Sequence, residues 1–156
     1  MTPYRLERLA NHDRNAFASG SDALDRYFTQ QASQNVRRRI ASCFVAVSRE
    51  GAVAGYYTLA ATALALTALP PARARKLPRY PIIPATLLGR LVVATPHQGR
   101  RLGAALVADA LLRSTRSEIA AYALVVEAKD EAAARFYRHL EFEPLAGDSR
   151  RLIRIL

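Results

Sequence analysis

The sequence is poor in cysteine and histidine, and these shortages exclude several kinds of site. The single cysteine, Cys43, cannot form a disulfide within the chain or a cysteine-based metal cluster. The three histidines, His12, His97 and His139, lie far apart without the spacing of metal ligands, so we expect no metal site. Apolar residues follow Cys43, which indicates that its thiol is buried.

Long hydrophobic runs are also missing. The longest candidate, Leu59–Leu69, is interrupted by threonines and falls short of the roughly 20 residues that a membrane-spanning helix needs. The first residues carry charge at Arg5, Glu7 and Arg8 without an apolar segment behind them, so they do not form a secretory signal. We therefore expect a cytoplasmic protein without membrane association.

Acidic residues and lysine are scarce, and most of the charged residues are arginine. The chain has 13 Asp and Glu against 23 Lys and Arg, which gives a net charge of +10. Of the 23 basic residues 21 are arginine, because only Lys76 and Lys129 are lysine. Arginine binds phosphate through a flat, bidentate fork, so the excess favours a polyanionic partner such as nucleic acid. A codon bias towards arginine in a GC-rich genome is the alternative explanation.

The length of 156 residues and the hydrophobic share of 51% suit a single domain, residues 1–156. Apolar, β-forming segments predict strands at Tyr4–Leu9, Ile40–Ser48, Ala52–Leu66, Thr86–Ala94, Ala121–Ala128, Phe142–Leu145 and Leu152–Leu156. Helical spacing predicts helices from Asp22 to Val36 (capped by Ser21 or Asp22), from Arg100 to Arg116, and from the cap Asp130 to His139. The alternation of strands and helices in the middle favours an α/β fold with a partly parallel sheet.

The segment Pro70–Pro84, which we call the basic segment, differs from its surroundings. It holds five of the eight prolines, so we expect it to contain no regular element. Its basic residues are Arg73, Arg75, Lys76 and Arg79. We interpret it as a loop within one domain, with a linker between two domains as the alternative.

The segment Leu91–Ala104 has the pattern of a phosphate-binding turn. An apolar strand is followed by a turn with two glycines, Gly99 and Gly103, and by the start of a helix. The free amides of a helix N-terminus bind phosphate, and Arg100 and Arg101 add charge at the same place. The segment lacks the Lys-Ser/Thr of a P-loop and the spacing of a dinucleotide fingerprint. A plain glycine turn before a surface helix is the alternative.

Two motifs in this half of the chain resemble signatures of the GNAT acetyltransferase superfamily. Gln98–Gly103 is similar to Gln/Arg-x-x-Gly-x-Gly/Ala, although Arg101 stands where the first motif glycine is usual. Further on, Asp130–Tyr137 resembles the second signature, with matching Ala133 and Tyr137 and with Asp130 at the usual Asn position. A Gly-Phe turn follows in the family, and here Glu141 replaces its glycine.

The resemblance implies the GNAT fold, an α/β (α+β) architecture with a central mixed sheet and helices on both of its faces. It implies that acetyl coenzyme A is bound by Leu91, Val92, Val93, Gln98, Gly99, Arg100, Arg101, Leu102, Gly103, Ala104, Asp130 and Ala133. It further implies that a backbone amide of Leu91–Val93 polarises the thioester carbonyl and that Tyr137 is the catalytic acid. Glu127, positioning a water as a base, is an alternative, although a strand-end surface carboxylate is the simpler reading of that residue.

Phe17–Asp25, Gly55–Leu59 and Pro84–Leu91 are similar to one GNAT branch, the toxins of bacterial toxin–antitoxin pairs that acetylate the amino group of aminoacyl-tRNA. The resemblance implies an aminoacyl-tRNA substrate, a blocked translation, a cognate antitoxin that is a small DNA-binding protein, and a homodimer. Two alternatives remain open. One is an acetyltransferase of a small-molecule or protein amine, and the other is a non-catalytic RNA-binding module.

Basic residues outside the coenzyme motif are the candidates for binding tRNA. They are Arg37, Arg38, Arg39, Arg73, Arg75, Lys76, Arg79 and Arg90. Three consecutive arginines on a helix would point in different directions, so Arg37–Arg39 could not all face one surface. A solvated helix end is the alternative for that run, and Arg90 is either an edge residue or a site residue.

Overall fold

The computed structural model describes residues 3–156. The strands are β1 (Tyr4–Arg8), β2 (Ser42–Ser48), β3 (Val53–Ala65), β4 (Ile82–Val93), β5 (Ala123–Glu127), β6 (Glu143–Leu145) and β7 (Asp148–Ile155). The helices are α1 (Asp22–Gln30), α2 (Ala32–Arg37), α3 (Pro71–Ala74), α4 (Leu102–Arg116) and α5 (Glu131–His139). The strands form one sheet in the order β1-β2-β3-β4-β5-β7-β6. β4 and β5 are parallel, whereas β1–β2, β2–β3, β5–β7 and β6–β7 are antiparallel, so the predicted mixed sheet is confirmed.

The chain divides into two compact units, of which the first comprises residues 3–60 and 89–110. In this unit β1 pairs antiparallel with β2, Tyr4 lying opposite Ser48, and β2 continues into β3 through a hairpin. The two adjacent strands predicted at Ile40–Ser48 and Ala52–Leu66 therefore form an antiparallel pair. Of the described helices, none combines the length and the apolar character that crossing a membrane requires.

Aromatic side chains hold α1 against β3 in the first unit. The Phe28 and Tyr56 rings stack with their centroids 4.3 Å apart, and Phe17 meets Phe28 edge-on at 4.8 Å. The Tyr56 hydroxyl donates a hydrogen bond to the Leu24 carbonyl at 2.7 Å. Cys43 lies in the same cluster, and burial raises the pKa of its thiol to about 12, as suits an inert core residue.

Gly55 on β3 allows a close approach to the end of β4. A Cβ atom at this position would lie 2.9 Å from the Val92 carbonyl oxygen and 3.2 Å from the Leu106 side chain. Only glycine lets the backbones come this near without a shift. The end of β4, which leads into the segment with the phosphate-binding pattern, is thus fixed by its neighbour.

The second unit comprises residues 61–88 and 111–156. Its part of β4 runs parallel to β5, with Ala85 opposite Ala123, and β7 lies antiparallel between β5 and β6. Its core is an apolar cluster: Leu64, Leu69, Ile83, Ala85, Ala123, Val125, Leu145 and Ile153. Helix α5 packs on β7.

The single helix predicted for residues 22–36 is wrong, because two helices replace it. α1 ends at Gln30, and Gln31 has a φ of −121°, outside the helical range. Ser21 rather than Asp22 is the N-cap, since its Oγ accepts the Leu24 amide at 3.4 Å.

The arginine run does not continue the helix. Only Arg37 belongs to α2, and Arg39 has a φ of 59°. The Arg39 amide bonds the Val36 carbonyl at 3.1 Å and the Ile40 amide bonds the Asn35 carbonyl at 2.9 Å. This pair of hydrogen bonds is the Schellman motif, with arginine at the position where glycine is usual. The expectation of three helical arginines is therefore wrong.

The expectation that residues 70–84 contain no regular element is also wrong. The short helix α3 begins at Pro71, and proline is tolerated at the first helical position because the amide there has no partner. β4 begins at Ile82, within the segment.

Two element boundaries also differ from the prediction. α4 begins at Leu102 rather than Arg100, because Arg101 has a φ of 63°. β7 begins at Asp148, earlier than the predicted Leu152, because the φ of 77° at Gly147 permits a tight turn from β6.

Candidate active site

The turn that follows β4 is held by the side chain of Gln98. Its Nε2 donates to the Val93 carbonyl at 3.0 Å, at the end of the strand, and to the Ser19 carbonyl at 2.9 Å, in the loop before α1. The resemblance to the GNAT signature implied that Gln98 binds the coenzyme. The structure gives this carboxamide two carbonyl partners within the protein, so its observed contacts position the turn.

The loop before α1 is itself held by an acidic residue. The Asp25 carboxylate accepts the Ser19 amide at 3.0 and 3.2 Å and the Ser19 Oγ at 2.6 Å. The Ala18 carbonyl accepts the Thr95 amide at 2.8 Å. A continuous path of hydrogen bonds therefore leads from Asp25 through Ser19 to Gln98. The sequence contained no signal for it beyond the resemblance of Phe17–Asp25 to the GNAT branch.

A third contact anchors the same turn to β1. The Tyr4 hydroxyl and His97 Nδ1 lie 2.9 Å apart, and the two rings meet edge-on with centroids 5.5 Å apart. The role of His97 could not be predicted from the sequence, because its partner Tyr4 is 93 residues away in the chain. The turn thus rests on contacts from β1, β4 and the loop before α1.

Residues 98–104, which we call the 98–104 loop, contain two left-handed residues. Gly99 has a φ of 78° and Arg101 a φ of 63°. A Cβ atom at Gly99 would have no heavy atom within 4 Å, so the backbone angle and not space requires glycine there. Arg101 adopts the left-handed conformation at a penalty of roughly 1–2 kcal/mol. At the position where the GNAT signature has glycine, the backbone therefore keeps a conformation typical of glycine.

The N-terminus of α4 presents unpaired amides. The Ala105 amide donates to the Arg101 carbonyl at 3.2 Å, so the amides of Leu102, Gly103 and Ala104 have no carbonyl partner within the helix. The first turn of α4 contains no acidic residue, and the exposed Arg100 and Arg101 precede it. Amides, helix dipole and guanidinium groups together suit a phosphate or pyrophosphate group.

Leu91–Val93 are the last three residues of β4, and their assignment to the coenzyme stays a prediction. Val92 is buried in the core of the first unit, and Leu91 and Val93 are half-buried. The Ala94 amide is bonded to the Ala54 carbonyl at 2.8 Å.

Tyr137 lies on α5 in the second unit with 8% of its surface exposed. Its ring contacts Phe136 and Phe142 with centroid distances of 5.1 and 5.4 Å. Burial raises the pKa of the Tyr137 phenol to about 12, so the hydroxyl keeps its proton at neutral pH. Within the described part of the chain, this hydroxyl has no hydrogen-bond partner.

A second Schellman motif ends the helix that carries Tyr137. The Glu141 amide bonds the Arg138 carbonyl at 3.0 Å, and the Phe142 amide bonds the Tyr137 carbonyl at 3.1 Å. Glu141 has a φ of 70°, so it takes the conformation of the glycine that it replaces in the Gly-Phe signature. The motif fixes Tyr137 through its carbonyl and its ring at once.

Asp130 and Ala133 are engaged with each other. The Ala133 amide donates to Asp130 Oδ1 at 2.8 Å, which makes Asp130 the N-cap of α5, as predicted. Their observed contact is structural, and their assignment to the coenzyme stays a prediction.

The candidate tRNA residues fall into exposed and engaged groups. The exposed ones are Arg37, Arg38, Arg39, Arg75, Lys76 and Arg79. Arg73 instead forms two hydrogen bonds with Glu143, from Nε to Oε1 at 3.1 Å and from an Nη to Oε2 at 3.0 Å. This contact raises the pKa of Arg73 and ties the basic segment to β6. The guanidinium of Arg90 lies 3.5 Å from the ring centroid of Tyr27.

No group of three or more His, Cys, Asp or Glu side chains that could hold a metal ion occurs among residues 3–156.

Comparisons with known proteins bear on this arrangement. Residues 39–144 match the family described as "Acetyltransferase (GNAT) domain". The chain belongs to the GNAT acetyltransferase family. This GNAT protein is 36% identical over 133 residues to a tRNA-acetylating toxin of Mycobacterium tuberculosis (strain ATCC 25618 / H37Rv), a match that covers 84% of this chain and 78% of the relative.

Solved structures resemble this GNAT chain over nearly its whole length. AtaT complexed with acetyl-methionyl-tRNAfMet is 32% identical with a TM-score of 0.89, covering 97% of this chain and 94% of that one. A Tyr-to-Phe mutant of KacT is 27% identical with a TM-score of 0.89, covering 99% and 95%. A Tyr-to-Phe mutant of the toxin AtaT, bound to the C-terminus of the antitoxin AtaR and acetyl-CoA, is 28% identical with a TM-score of 0.80, covering 99% and 94%. The expected fold is confirmed.

Proposed function

We propose that this GNAT protein transfers the acetyl group of acetyl coenzyme A to the α-amino group of aminoacyl-tRNA and thereby blocks translation. The observation that carries the proposal is the near full-length similarity to AtaT in its complex with acetyl-methionyl-tRNAfMet, at 32% identity. The 36% identity to a tRNA-acetylating toxin supports the same reaction.

The 98–104 loop fits the pyrophosphate of the donor. The free amides of Leu102, Gly103 and Ala104 would hold the phosphate oxygens, with Arg100 and Arg101 adding charge. The coenzyme supplies an activated acetyl thioester. Gln98 keeps the loop in place, and the backbone amides of Leu91–Val93 are the groups assigned to polarise the acetyl carbonyl.

The acceptor needs little activation, whereas the leaving thiolate needs a proton. A free α-amino group has a pKa near 8, so a usable fraction is neutral at pH 7 without a strong base. The neutral nitrogen attacks the thioester carbon, the carbon–sulfur bond breaks, and the sulfur takes a proton. The nitrogen loses one proton to solvent as it becomes an amide, and solvent returns a proton to the group that protonated the sulfur. Tyr137 is assigned as the proton donor to the sulfur, because its phenol is protonated and its hydroxyl is unengaged within residues 3–156.

The alternative general base, Glu127, is less well supported. Its side chain is 65% exposed and lies 3.7 Å from Arg151 Nε, a contact typical of a surface carboxylate. We therefore assign the catalytic role to Tyr137 alone.

The test is an acetyl-transfer assay with labelled acetyl coenzyme A and charged or uncharged tRNA. Label is expected on charged tRNA only, attached to the aminoacyl group. Label on uncharged tRNA, or on neither, contradicts the proposal. A polyamine and a lysine-rich protein serve as competing acceptors, and preferential labelling of either would favour an acetyltransferase of small-molecule or protein amines. Absence of donor binding would favour an RNA-binding module.

Tyr137→Phe removes one oxygen and leaves the ring contacts with Phe136 and Phe142 in place. The variant should bind acetyl coenzyme A normally and lose most of its turnover. Unchanged turnover would exclude Tyr137 from the reaction. That solved relatives include Tyr-to-Phe mutants of KacT and AtaT supports the choice of variant.

We further infer a single catalytic domain over residues 1–156, a cytoplasmic location beside the tRNA pool, a homodimer and a cognate antitoxin. The complex of AtaT with the C-terminus of AtaR supports an antitoxin partner. Light scattering should give twice the chain mass of 17.2 kDa. Co-expression with a small DNA-binding protein from the adjacent reading frame should relieve growth arrest.

A further inference from the structure

Tyr80 is an aromatic side chain that the fold leaves on the surface. It is 65% exposed, and the nearby Ile82 is 62% exposed, whereas most aromatic residues of this chain are buried. A single exposed apolar side chain is common on protein surfaces, so the exposure of Tyr80 alone does not define a binding site. The surroundings of Tyr80 indicate which partner would cover it.

Three cations shortly before Tyr80 in the sequence have no acidic residue among their chain neighbours. Arg75, Lys76 and Arg79 are exposed, and within the described residues they form no ion pair. Residues 70–84 contain no Asp or Glu. This combination of unpaired cations and an exposed ring suits a nucleic acid, which offers phosphates and base faces together.

The ring is carried by a restrained stretch of chain. Leu77 packs against the apolar cluster of the second unit, and the Pro81 carbonyl accepts the Leu66 amide at 3.0 Å. Arg73 ties the start of the segment to Glu143 with two hydrogen bonds. Prolines at positions 78 and 81 restrict the backbone on both sides of the ring. Binding to a surface that is already ordered loses little conformational entropy.

We propose that the Tyr80 ring stacks on an unpaired base of the tRNA, while Arg75, Lys76 and Arg79 bind the neighbouring phosphates. This inference rests on the proposed function. Stacking requires a base that is free of its duplex partner, which a tRNA offers in its loops and at its 3′ end. The acetyl acceptor is attached to that same 3′ end, so the 3′ end is the part of the tRNA assigned to Tyr80. Stacking tolerates any base, which suits an enzyme that reads the aminoacyl group.

The absence of tryptophan from the chain provides a direct test. Tyr80→Trp creates a protein with a single tryptophan, whose fluorescence a stacked base quenches. We titrate it with an acceptor-stem RNA hairpin that ends in a single-stranded 3′ tail and with the same hairpin cut blunt. The tailed RNA should quench the fluorescence and the blunt RNA should not.

Ile119→Trp is the matched control, because Ile119 is 82% exposed and lies outside the basic segment. Its fluorescence should respond to neither RNA. Equal quenching of Tyr80→Trp by tailed and blunt RNA, or none by either, overturns the inference. Quenching by an antitoxin C-terminal peptide and not by RNA overturns it in favour of a protein partner.

Kinetics separate this inference from the proposed function. Tyr80→Ala should raise KM for aminoacyl-tRNA on the order of tenfold and leave KM for acetyl coenzyme A unchanged, whereas Tyr80→Phe should behave as wild type. If the wild type acetylates aminoacyl-tRNA and Tyr80→Ala does so with the same KM, only the role of Tyr80 fails. If the wild type does not acetylate aminoacyl-tRNA, the proposed function fails, and the fluorescence titration still decides on stacking.

Discussion

Removing the carboxamide of Gln98 should weaken the binding of acetyl coenzyme A while leaving the fold intact. Gln98→Ala deletes the hydrogen bonds from Nε2 to the Val93 and Ser19 carbonyls, at 3.0 and 2.9 Å. The rest of the side chain is exposed, so little packing is lost with it. The perturbation therefore acts on the order of the 98–104 loop.

The expected loss of binding free energy is estimated from the two hydrogen bonds of Gln98. A neutral hydrogen bond contributes a net ~0.5–1.5 kcal/mol, and the lower half of that range applies because both bonds are exposed to water. Together they stabilise the bound conformation of the loop by about 1–2 kcal/mol. A loss of about 1.4 kcal/mol corresponds to a tenfold weaker Kd for acetyl coenzyme A.

The assay is calorimetric titration with acetyl coenzyme A, joined to steady-state kinetics at saturating aminoacyl-tRNA. KM for the donor should rise about tenfold with kcat little changed, since the loop binds ground state and transition state alike. Gln34→Ala is the matched control, because it removes an exposed glutamine that makes no side-chain hydrogen bond to the described residues. It should bind the donor as wild type does.

Gln98→Glu sharpens the test. It keeps the shape of the side chain but sets a carboxylate against the Val93 and Ser19 carbonyl oxygens, which cannot donate to it. It should therefore bind the donor more weakly than Gln98→Ala. Wild-type affinity in either variant would refute the reasoning that Gln98 orders the loop.

Asp25, Glu141 and Tyr137 each allow a further test. Asp25→Asn removes the negative charge of the side chain that accepts hydrogen bonds from the Ser19 amide and hydroxyl, and a hydrogen bond to a charged group contributes ~1.5–3 kcal/mol. The variant should therefore also raise KM for acetyl coenzyme A. An unchanged KM would show that Asp25 does not order the 98–104 loop. Glu141→Gly removes the strain of a non-glycine residue in the left-handed conformation but makes the unfolded chain more flexible. The free energy of unfolding should show a net increase of about 0.5–1 kcal/mol, and Tm should rise by a few degrees. A lower Tm in a melting curve would contradict this. The pH–rate profile should rise as the α-amine loses its proton near pH ~8 and show no descending limb up to pH ~10, because the pKa of Tyr137 is raised to about 12. A descending limb that persists in Tyr137→Phe would belong to another group.

The sequence alone predicted the seven strands and the helices α1, α4 and α5 in their order, because these elements depend on local patterns. The apolar, β-forming segments of β2 and β3 and the cap at Asp130 are examples, since each depends on neighbours in the chain. The break at Gln31 was not predictable, because the apolar spacing continues through it. Periodicity reports which face is buried and does not report whether the backbone stays helical.

The contacts of the candidate site could not be predicted, because their partners are far apart in the chain. Gln98 and Ser19 are separated by 79 residues, and Arg73 and Glu143 by 70. Charge counting therefore assigned Arg73 to tRNA, although its guanidinium is engaged with a carboxylate. The net charge indicates the sign of the charge on a binding partner. Only the three-dimensional structure shows which cations are already paired with acidic side chains.

At the two positions where the sequence departs from the GNAT signatures, the backbone keeps the conformation of the missing glycine. Arg101 and Glu141 stand where the signatures have glycine, and both adopt positive φ. Glycine is favoured at such positions because it lacks a Cβ atom, but L-residues reach the same conformation when neighbouring contacts enforce it. For Glu141 these contacts are the two Schellman hydrogen bonds, and for Arg101 they are the anchored turn before it and α4 after it. A missing glycine therefore does not imply a different backbone path.

At Arg101 this conclusion has an electrostatic consequence. The first turns of α1 and α5 contain acidic residues, as the helix dipole favours, whereas α4 has none and is preceded by Arg100 and Arg101. A cation at a helix N-terminus is unfavourable by about 0.3–1 kcal/mol, and the left-handed conformation adds roughly 1–2 kcal/mol. Unfavourable terms gathered in one loop are typical of functional sites. A bound pyrophosphate would reverse the sign of the electrostatic term, so the same two arginines that destabilise the free helix end would strengthen its hold on the donor.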